Sequence, residues 1–518
     1  MKAVASVLVA TSLLVAGCSS ESAEPKPNLS HVPPPLVPAI PLPENAVSNA
    51  VAELDGMADE LMTKSGIPGM AVAVVHGGKT MYAKGFGVRD VRSGEKVDAD
   101  TVFQLASLSK PLSATVVAQQ VGAGAIAFDT PIVEKLPWFA LSDPVVTRMV
   151  TVGDMLSHRS GLPDHAGDML EDLGYDRRQT LERLRQLPLE PFRISYAYTN
   201  FGFTAGAEAV AVGAGRSWEN LAEQVLYRPL GMTSTSSRFS DYEARANRAV
   251  GHIHVEDRYE PLYVRNPQSQ APAGGVSSSV NDMTHWLAMV LGNGSLDGKQ
   301  IVDAEALLPA VTPQIVSSRA TEPAMRSGFY GYGFNVSPTS AARMELSHSG
   351  AFELGAGTNF VMLPSADVAI VALTNATPSG VPEALTAMFA DLVQFGEVRA
   401  DWYGLYHGLM APMEEPVGEL VGQQPPANPA PAAPLSSYAG TYDNDYWGPA
   451  RVTEKDGKLQ LALGPRGVFR LNHWDGDVFT FSFVTENAPP GTVSKATFED
   501  GRLTLEYYDD FGKGVFTR

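Results

Sequence analysis

A run of prolines and alanines, Gln423-Gln-Pro-Pro-Ala-Asn-Pro-Ala-Pro-Ala-Ala-Pro434, divides this 518-residue chain into two parts. Proline fixes φ and removes a backbone donor, so neither a helix nor a central strand crosses such a stretch. The two parts differ in pattern. Upstream, Val47, Val51, Leu54, Ala58, Leu61 and Met62 share a helical face and predict a helix over 46–64. Gly69 to Val75, the turn His76-Gly77-Gly78 and Thr80 to Val88 read as a hairpin of two apolar strands. A strand over Val368–Leu373 and a helix near 383–396 close this part. Strands at both ends around a helical middle predict an α/β (α+β) sandwich with an inserted helical region over 46–410. Downstream, short apolar runs alternate with Asp456-Gly457, Asp475-Gly476 and Asp500-Gly501. Roughly eight strands with such hairpin turns predict a small antiparallel β-barrel or sandwich over 436–518, behind a linker at 411–435.

The chain has one cysteine, Cys18, so it forms no internal disulfide and no multi-cysteine metal site. Lys2, the apolar run Val4 to Val15, and small residues before Cys18 predict a secretory signal over 1–17. Val15-Ala16-Gly17-Cys18 resembles a bacterial lipobox, which implies lipidation of Cys18. Residues 18–45, rich in Pro, Ser and Glu, then form a tether. The expected location is the cell envelope, exported and held by lipid. Ser19 in place of an aspartate favours the outer membrane of a two-membrane cell. No later stretch reaches the roughly eighteen apolar residues of a spanning helix, so the membrane is a partner only through that lipid. A formal net charge of −19 with no basic stripe excludes nucleic acid.

Three motifs carry chemistry. Ser107-Leu108-Ser109-Lys110 sets a hydroxyl and an amine one helical turn apart, with Pro111 requiring a helix start within the preceding few residues. A neutral lysine there accepts the serine proton. Tyr198-Thr199-Asn200 offers a phenol to relay protons and an amide to hold a substrate carbonyl. His348-Ser349-Gly350, read as preceding a strand, lines a cleft, with the Ala351 and Ser107 N–H groups as oxyanion donors. Each motif alone also fits a structural reading: a helix cap, a core tyrosine with a capping Asn, a turn histidine. Each has spare matches, at Ser93-Gly94-Glu95-Lys96, Tyr442-Asp443-Asn444, His76-Gly77-Gly78 and His165-Ala166-Gly167. Position separates them: Ser107 lies between an apolar strand-like segment and an apolar helix.

In that order the motifs resemble the penicillin-recognising serine enzymes. Thr151-Val-Gly-Asp-Met-Leu-Ser-His-Arg-Ser-Gly-Leu-Pro163, Pro229-Leu-Gly-Met232, Pro272 to Ser278 with Asp282, and Leu373-Thr-Asn375 resemble the class C β-lactamase-related hydrolases over approximately 48–400. Tyr438-Ala-Gly-Thr-Tyr442 with Trp447-Gly448 resembles the small β-domain often appended to them. The resemblance implies an acyl-enzyme on Ser107, proton transfer by Lys110 and Tyr198, and substrate orientation by Asn200. It gives His158 a structural place in its stretch. One departure stands out: true class C β-lactamases carry lysine where this chain has His348, whereas histidine is familiar in D-amino-acid peptidases and esterases of the same fold. The expected activity is hydrolysis of a small ester or a D-amino-acid peptide, without metal or cofactor. A β-lactamase and a non-catalytic binder of cell-wall peptides are the alternatives.

Overall fold

The computed structural model describes residues 32–518, so Cys18, the signal and the first part of the tether lie outside the described residues. Residues 32–38 hold one turn of 3-10 helix, Pro34–Leu36. Residues 39–518 form a single compact unit. It opens with α1 (Ala46–Ser65), β1 (Gly69–His76) and β2 (Lys79–Gly87), and continues through α2 (Ser109–Gly122) and α3 (Asn200–Gly213). Strands β3 (Ile315–Ser318), β4 (Gly328–Tyr330), β5 (Asn335–Pro338), β6 (Met344–Phe352), β7 (Ala356–Leu363) and β8 (Val368–Thr374) follow, then α4 (Val381–Phe395) and α5 (Trp402–Met410).

The eight strands make one antiparallel sheet in the order β2-β1-β8-β7-β6-β5-β4-β3. Its central strands read as unbroken apolar runs because both faces are covered. In β1 and β8, Met70, Val72, Val74, Ile370 and Ala372 pack with α1 and α4. Their neighbours Ala71, Ala73, Val75, Val371 and Leu373 face the helical body between β2 and β3. The sandwich with an inserted helical region is therefore the observed architecture.

One strand differs from expectation. His348 does not precede a strand; it lies inside β6, which begins at Met344, and the apolar run toward Met362 belongs to a second strand, β7. Serine and glycine interrupt the apolar alternation across 344–352, so periodicity hides where β6 starts.

The C-terminal strands are β9 (Gly440–Tyr442), β10 (Ala450–Lys455), β11 (Lys458–Leu463), β12 (Gly467–Asp475), β13 (Val478–Ser482), β14 (Val493–Glu499), β15 (Arg502–Leu505) and β16 (Val515–Thr517). Each pairs with the next, and Asp443 and Thr517 exchange backbone bonds of 2.7 and 3.0 Å that nearly close the barrel. Asp456 and Gly457 (φ 52° and 68°), like Asp500 and Gly501 (48° and 75°), take the left-handed pair that a tight hairpin turn demands. The proline-rich segment lies along the barrel: Ala430 N donates to Asp475 Oδ1 at 2.6 Å and its carbonyl accepts from Gly476 N at 2.9 Å. The barrel in turn sits on the helical body, where Tyr175 Oη donates to Trp447 O (2.7 Å) and Arg466 N to Leu173 O (2.9 Å). Leu173 and Tyr175 share one hydrophobic cluster with Trp447 and Phe469.

Candidate active site

Ser107 occupies a 3-10 turn, Ala106–Leu108, immediately ahead of α2. Ala106 has φ 47°, a left-handed conformation that is costly for a residue with a Cβ. Long-range bonds hold the strained turn: Leu105 N donates to Val276 O (2.8 Å), and Thr358 Oγ1 of β7 donates to Leu105 O (2.8 Å). The serine hydroxyl is thereby fixed at the entrance of α2, and Lys110 reaches it from one turn on.

Lys110 is fully buried, with Nζ 3.0 Å from Ser107 Oγ, 2.7 Å from Asn200 Oδ1 and 3.1 Å from Ala273 O. The last two are carbonyl oxygens and only accept, so two N–H bonds go to them and the third direction belongs to the serine. Burial lowers the Lys110 pKa to about 7, partly opposed by the nearby Asp168 charge. In the neutral amine the lone pair then faces the serine hydroxyl. Tyr198 Oη donates to the same Ser107 Oγ at 2.8 Å. Burial holds the Tyr198 pKa well above its ordinary value, so the phenol keeps its proton. The spare serine–lysine and tyrosine–asparagine matches assemble nothing comparable. Ser93 bonds Glu95 in an exposed turn, and Tyr442 donates to Tyr438 O inside the barrel.

Asn200, the first residue of α3, accepts from Lys110 and donates through Nδ2 to Asp168 Oδ2 at 2.8 Å. It orients the lysine, with one amide hydrogen left over for a ligand. Asp168 Oδ2 also meets His165 Nδ1 at 2.9 Å, and this bond raises the His165 pKa to about 9. His165 is therefore an imidazolium at neutral pH. Sequence reasoning passes over it as a spare His-x-Gly match. The available signal was its i,i+3 spacing to Asp168, which pairs the two on the turn after Pro163.

His348 is buried beside the nucleophile rather than displayed in the cleft. Its Nδ1 lies 2.6 Å from Ser349 O, which only accepts, so Nδ1 carries the hydrogen and Nε2 accepts from Tyr330 Oη at 2.9 Å. Burial, then the Lys110 charge, lower its pKa to about 3, and the ring is neutral. Ser349 Oγ donates to Glu383 of α4. Gly350 packs directly on the nucleophile turn: a Cβ there would lie 2.5 Å from Leu105 O and 2.9 Å from Ser107 N. Strand β5 pairs β6 only as far as Ser347, so the stretch from His348 to Phe352 presents an edge free of strand pairing toward Ser107. His158 is structural. Its Nδ1 accepts from Thr199 N at 3.1 Å, its carbonyl accepts from Ala197 N at 3.0 Å, and its ring packs 4.5 Å from that of Tyr198.

A cavity of about 400 Å³ brings Ser107, Tyr198, Asn200, Ser349 and Ala351 together. His165 and Asp168 line it too, and so do Glu486, Asn487 and Pro489 from the barrel, which no motif indicated. Among the described residues no group of three or more His, Cys, Asp or Glu side chains is arranged to hold a metal ion.

The family described as Beta-lactamase matches residues 54–395, and a domain of unknown function, DUF3471, matches 424–507. The chain is 28 % identical to "Unguisins hydrolase ungD'" of Aspergillus campestris, over 74 % of this chain and 73 % of that protein. It is 29 % identical to "Penicillin-binding protein 4" of Amycolatopsis lactamdurans, over 75 % and 96 %. In fold it resembles an octameric penicillin-binding protein homologue from Pyrococcus abyssi, with a TM-score of 0.59 at 20 % identity, covering 90 % of this chain and 99 % of that one. With the family match extending over the whole sandwich, from within α1 to the end of α4, the chain belongs to the Beta-lactamase family of serine hydrolases.

Proposed function

We propose that the protein cleaves a small ester, or the amide of a terminal D-amino-acid residue, through an acyl-enzyme on Ser107. The observation that carries this reading is the pair of contacts on Ser107 Oγ, a lysine whose pKa burial has brought to about 7 and a phenol that keeps its proton. Lys110 accepts the serine proton as Oγ attacks the carbonyl carbon. The Ser107 and Ala351 N–H groups receive the oxyanion. Tyr198 passes a proton to the departing oxygen or nitrogen and is reprotonated through Lys110. Water, with Lys110 again as base, then releases the acid. The relatives named as a hydrolase and as a penicillin-binding protein support acyl chemistry in this cleft.

β-Lactams are the poorer substrates in this reading. Their carboxylate is best met by a fixed cation, and the neutral His348 is buried against Tyr330. We further propose that the enzyme works in the cell envelope, held by lipid on Cys18.

The test is intact mass after incubation with a fluorophosphonate, with nitrocefin and p-nitrophenyl acetate turned over side by side. The expected results are one adduct, absent from Ser107→Ala, and ester hydrolysis well ahead of nitrocefin hydrolysis. A wild-type protein that forms no adduct would leave a binding protein in place of an enzyme. Nitrocefin turned over faster than the ester would make the β-lactamase reading the better one.

A further inference from the structure

The barrel loop between β13 and β14 spans the cleft and is tied to both of its walls. Its tip is built to be rigid: Thr485 and Ala488 exchange backbone bonds of 3.1 and 3.3 Å, and Tyr507 Oη donates to Asn487 O at 2.7 Å. Two adjacent residues then reach opposite sides. Asn487 donates through N and Nδ2 to Asp172 Oδ2, at 3.2 and 2.8 Å, at the end of the short helix that begins with Asp168. Glu486 accepts from Glu353 N at 2.9 Å and Leu354 N at 3.4 Å in the turn joining β6 to β7, and lies 3.5 Å from Arg265 Nε. Both walls are parts of the candidate site, one carrying Asp168 and the other Ala351. Pro489 stiffens the same stretch, and Glu486, Asn487 and Pro489 line the cavity that holds Ser107.

We propose that the loop Glu486–Pro489 is the specificity-determining end wall of the hydrolase cleft, admitting beside Ser107 only a short group, either an acyl chain of a few carbons or one terminal residue, and excluding bonds inside a polymer. This rests on the serine hydrolase reading above. The wall cannot yield cheaply. Releasing it leaves the Asp172 side chain and the Glu353 and Leu354 N–H groups short of a partner in a part-buried place. A cavity of about 400 Å³ is small for a binding site, and extra methylenes pressed on a fixed wall meet atoms rather than space. The barrel thus takes part in choosing substrate.

The experiment compares p-nitrophenyl esters from acetyl to decanoyl, and acetyl esters with small and bulky leaving groups, on the full chain. Wild type is set beside the double variant Glu486→Ala with Asn487→Ala and beside Glu486→Gln, with fluorophosphonate titration counting reactive Ser107 in each. In wild type kcat/KM falls as either group lengthens. In the double variant the long-to-short ratio rises by about tenfold or more in at least one series. Glu486→Gln keeps an acceptor for the turn and shifts the ratio less. Ratios unchanged within about twofold in a double variant that still titrates would overturn the proposal. So would equal labelling rates of wild type by short- and long-chain alkyl fluorophosphonates, a measurement that needs no variant to fold. A wild type that neither labels nor hydrolyses is a different result: the hydrolase reading falls, and the end wall with it.

Discussion

At the scale of single residues, burial rather than residue type sets the chemistry. Lys110 and Tyr198 are ordinary side chains until the fold removes water from them, which brings the amine's pKa down to about 7 and holds the phenol's well above its ordinary value. If the neutral amine of Lys110 is the base, as proposed, kcat/KM should climb as pH rises through about 7 and then level off. Tyr198 should impose no fall at moderately alkaline pH. A pH–rate profile checks this, and a rate flat from pH 5 to pH 9 would remove Lys110 as base. Lys110→Arg, which holds its proton throughout, should lose about a hundredfold to ten-thousandfold in kcat with Ser107 still present. Glu353 is a second case. Its Oε1 is buried without a partner, and burial, reinforced by Glu486 and Glu414, lifts its pKa from 4.5 to about 9. The folded state keeps a proton that the unfolded chain gives up, so the stability linked to this group is complete below pH 4.5 and is lost as pH rises through 9. Thermal melting should therefore fall over that window in wild type and fall less steeply in Glu353→Gln. Parallel curves for the two proteins would contradict this.

At the scale of elements, the site depends on β6 lying flat against a strained turn. Gly350 permits that approach, because a methyl group there would sit 2.4 Å from Thr358 Oγ1 and 2.5 Å from Leu105 O. Gly350→Ala should lift β6 from the turn, lowering kcat by about a hundredfold while the helical body and barrel keep their circular dichroism. Full activity in that variant would mean that the strand does not set the position of Ser107. The motifs themselves were legible at this scale. Lys110 reaches Ser107 as their spacing implied, since an i,i+3 step across one turn is local, whereas Tyr198, 91 residues from Ser107, meets it only through the tertiary fold. The direction of His348 was not legible. Whether a side chain on a strand faces a cleft or a core depends on register with β5 and β7, which periodicity does not report across Ser347-His348-Ser349-Gly350. His165 escaped for a related reason: its partner Asp168 is local, but its place beside Ser107 is not.

At the scale of the whole molecule, sandwich and barrel share a core. Trp447, Phe469 and Tyr508 belong to the same buried cluster as Leu173, Tyr175 and the helical body. Gly174 and Gly448 allow the approach; a Cβ on either would lie within 2.6 Å of a side-chain atom across the interface. Two domains joined in this way should unfold together, giving one calorimetric transition for the whole chain. Two well-separated transitions would show that the barrel is only tethered. Tyr175→Phe, which removes the bond to Trp447 O, should cost about 1 kcal/mol of stability and leave kcat nearly unchanged.

The amino-acid order by itself determined the sandwich, the Asp-Gly hairpins and the one-turn spacing of Ser107 and Lys110. All of these follow from local spacing, backbone preference or motif order along the chain. Tertiary structure alone decided the neutral, inward His348, the recruitment of His165 and Asp168, and the barrel loop across the cleft. Those facts depend on which distant segments meet and how much water they exclude, and neither quantity is written in any short window of sequence.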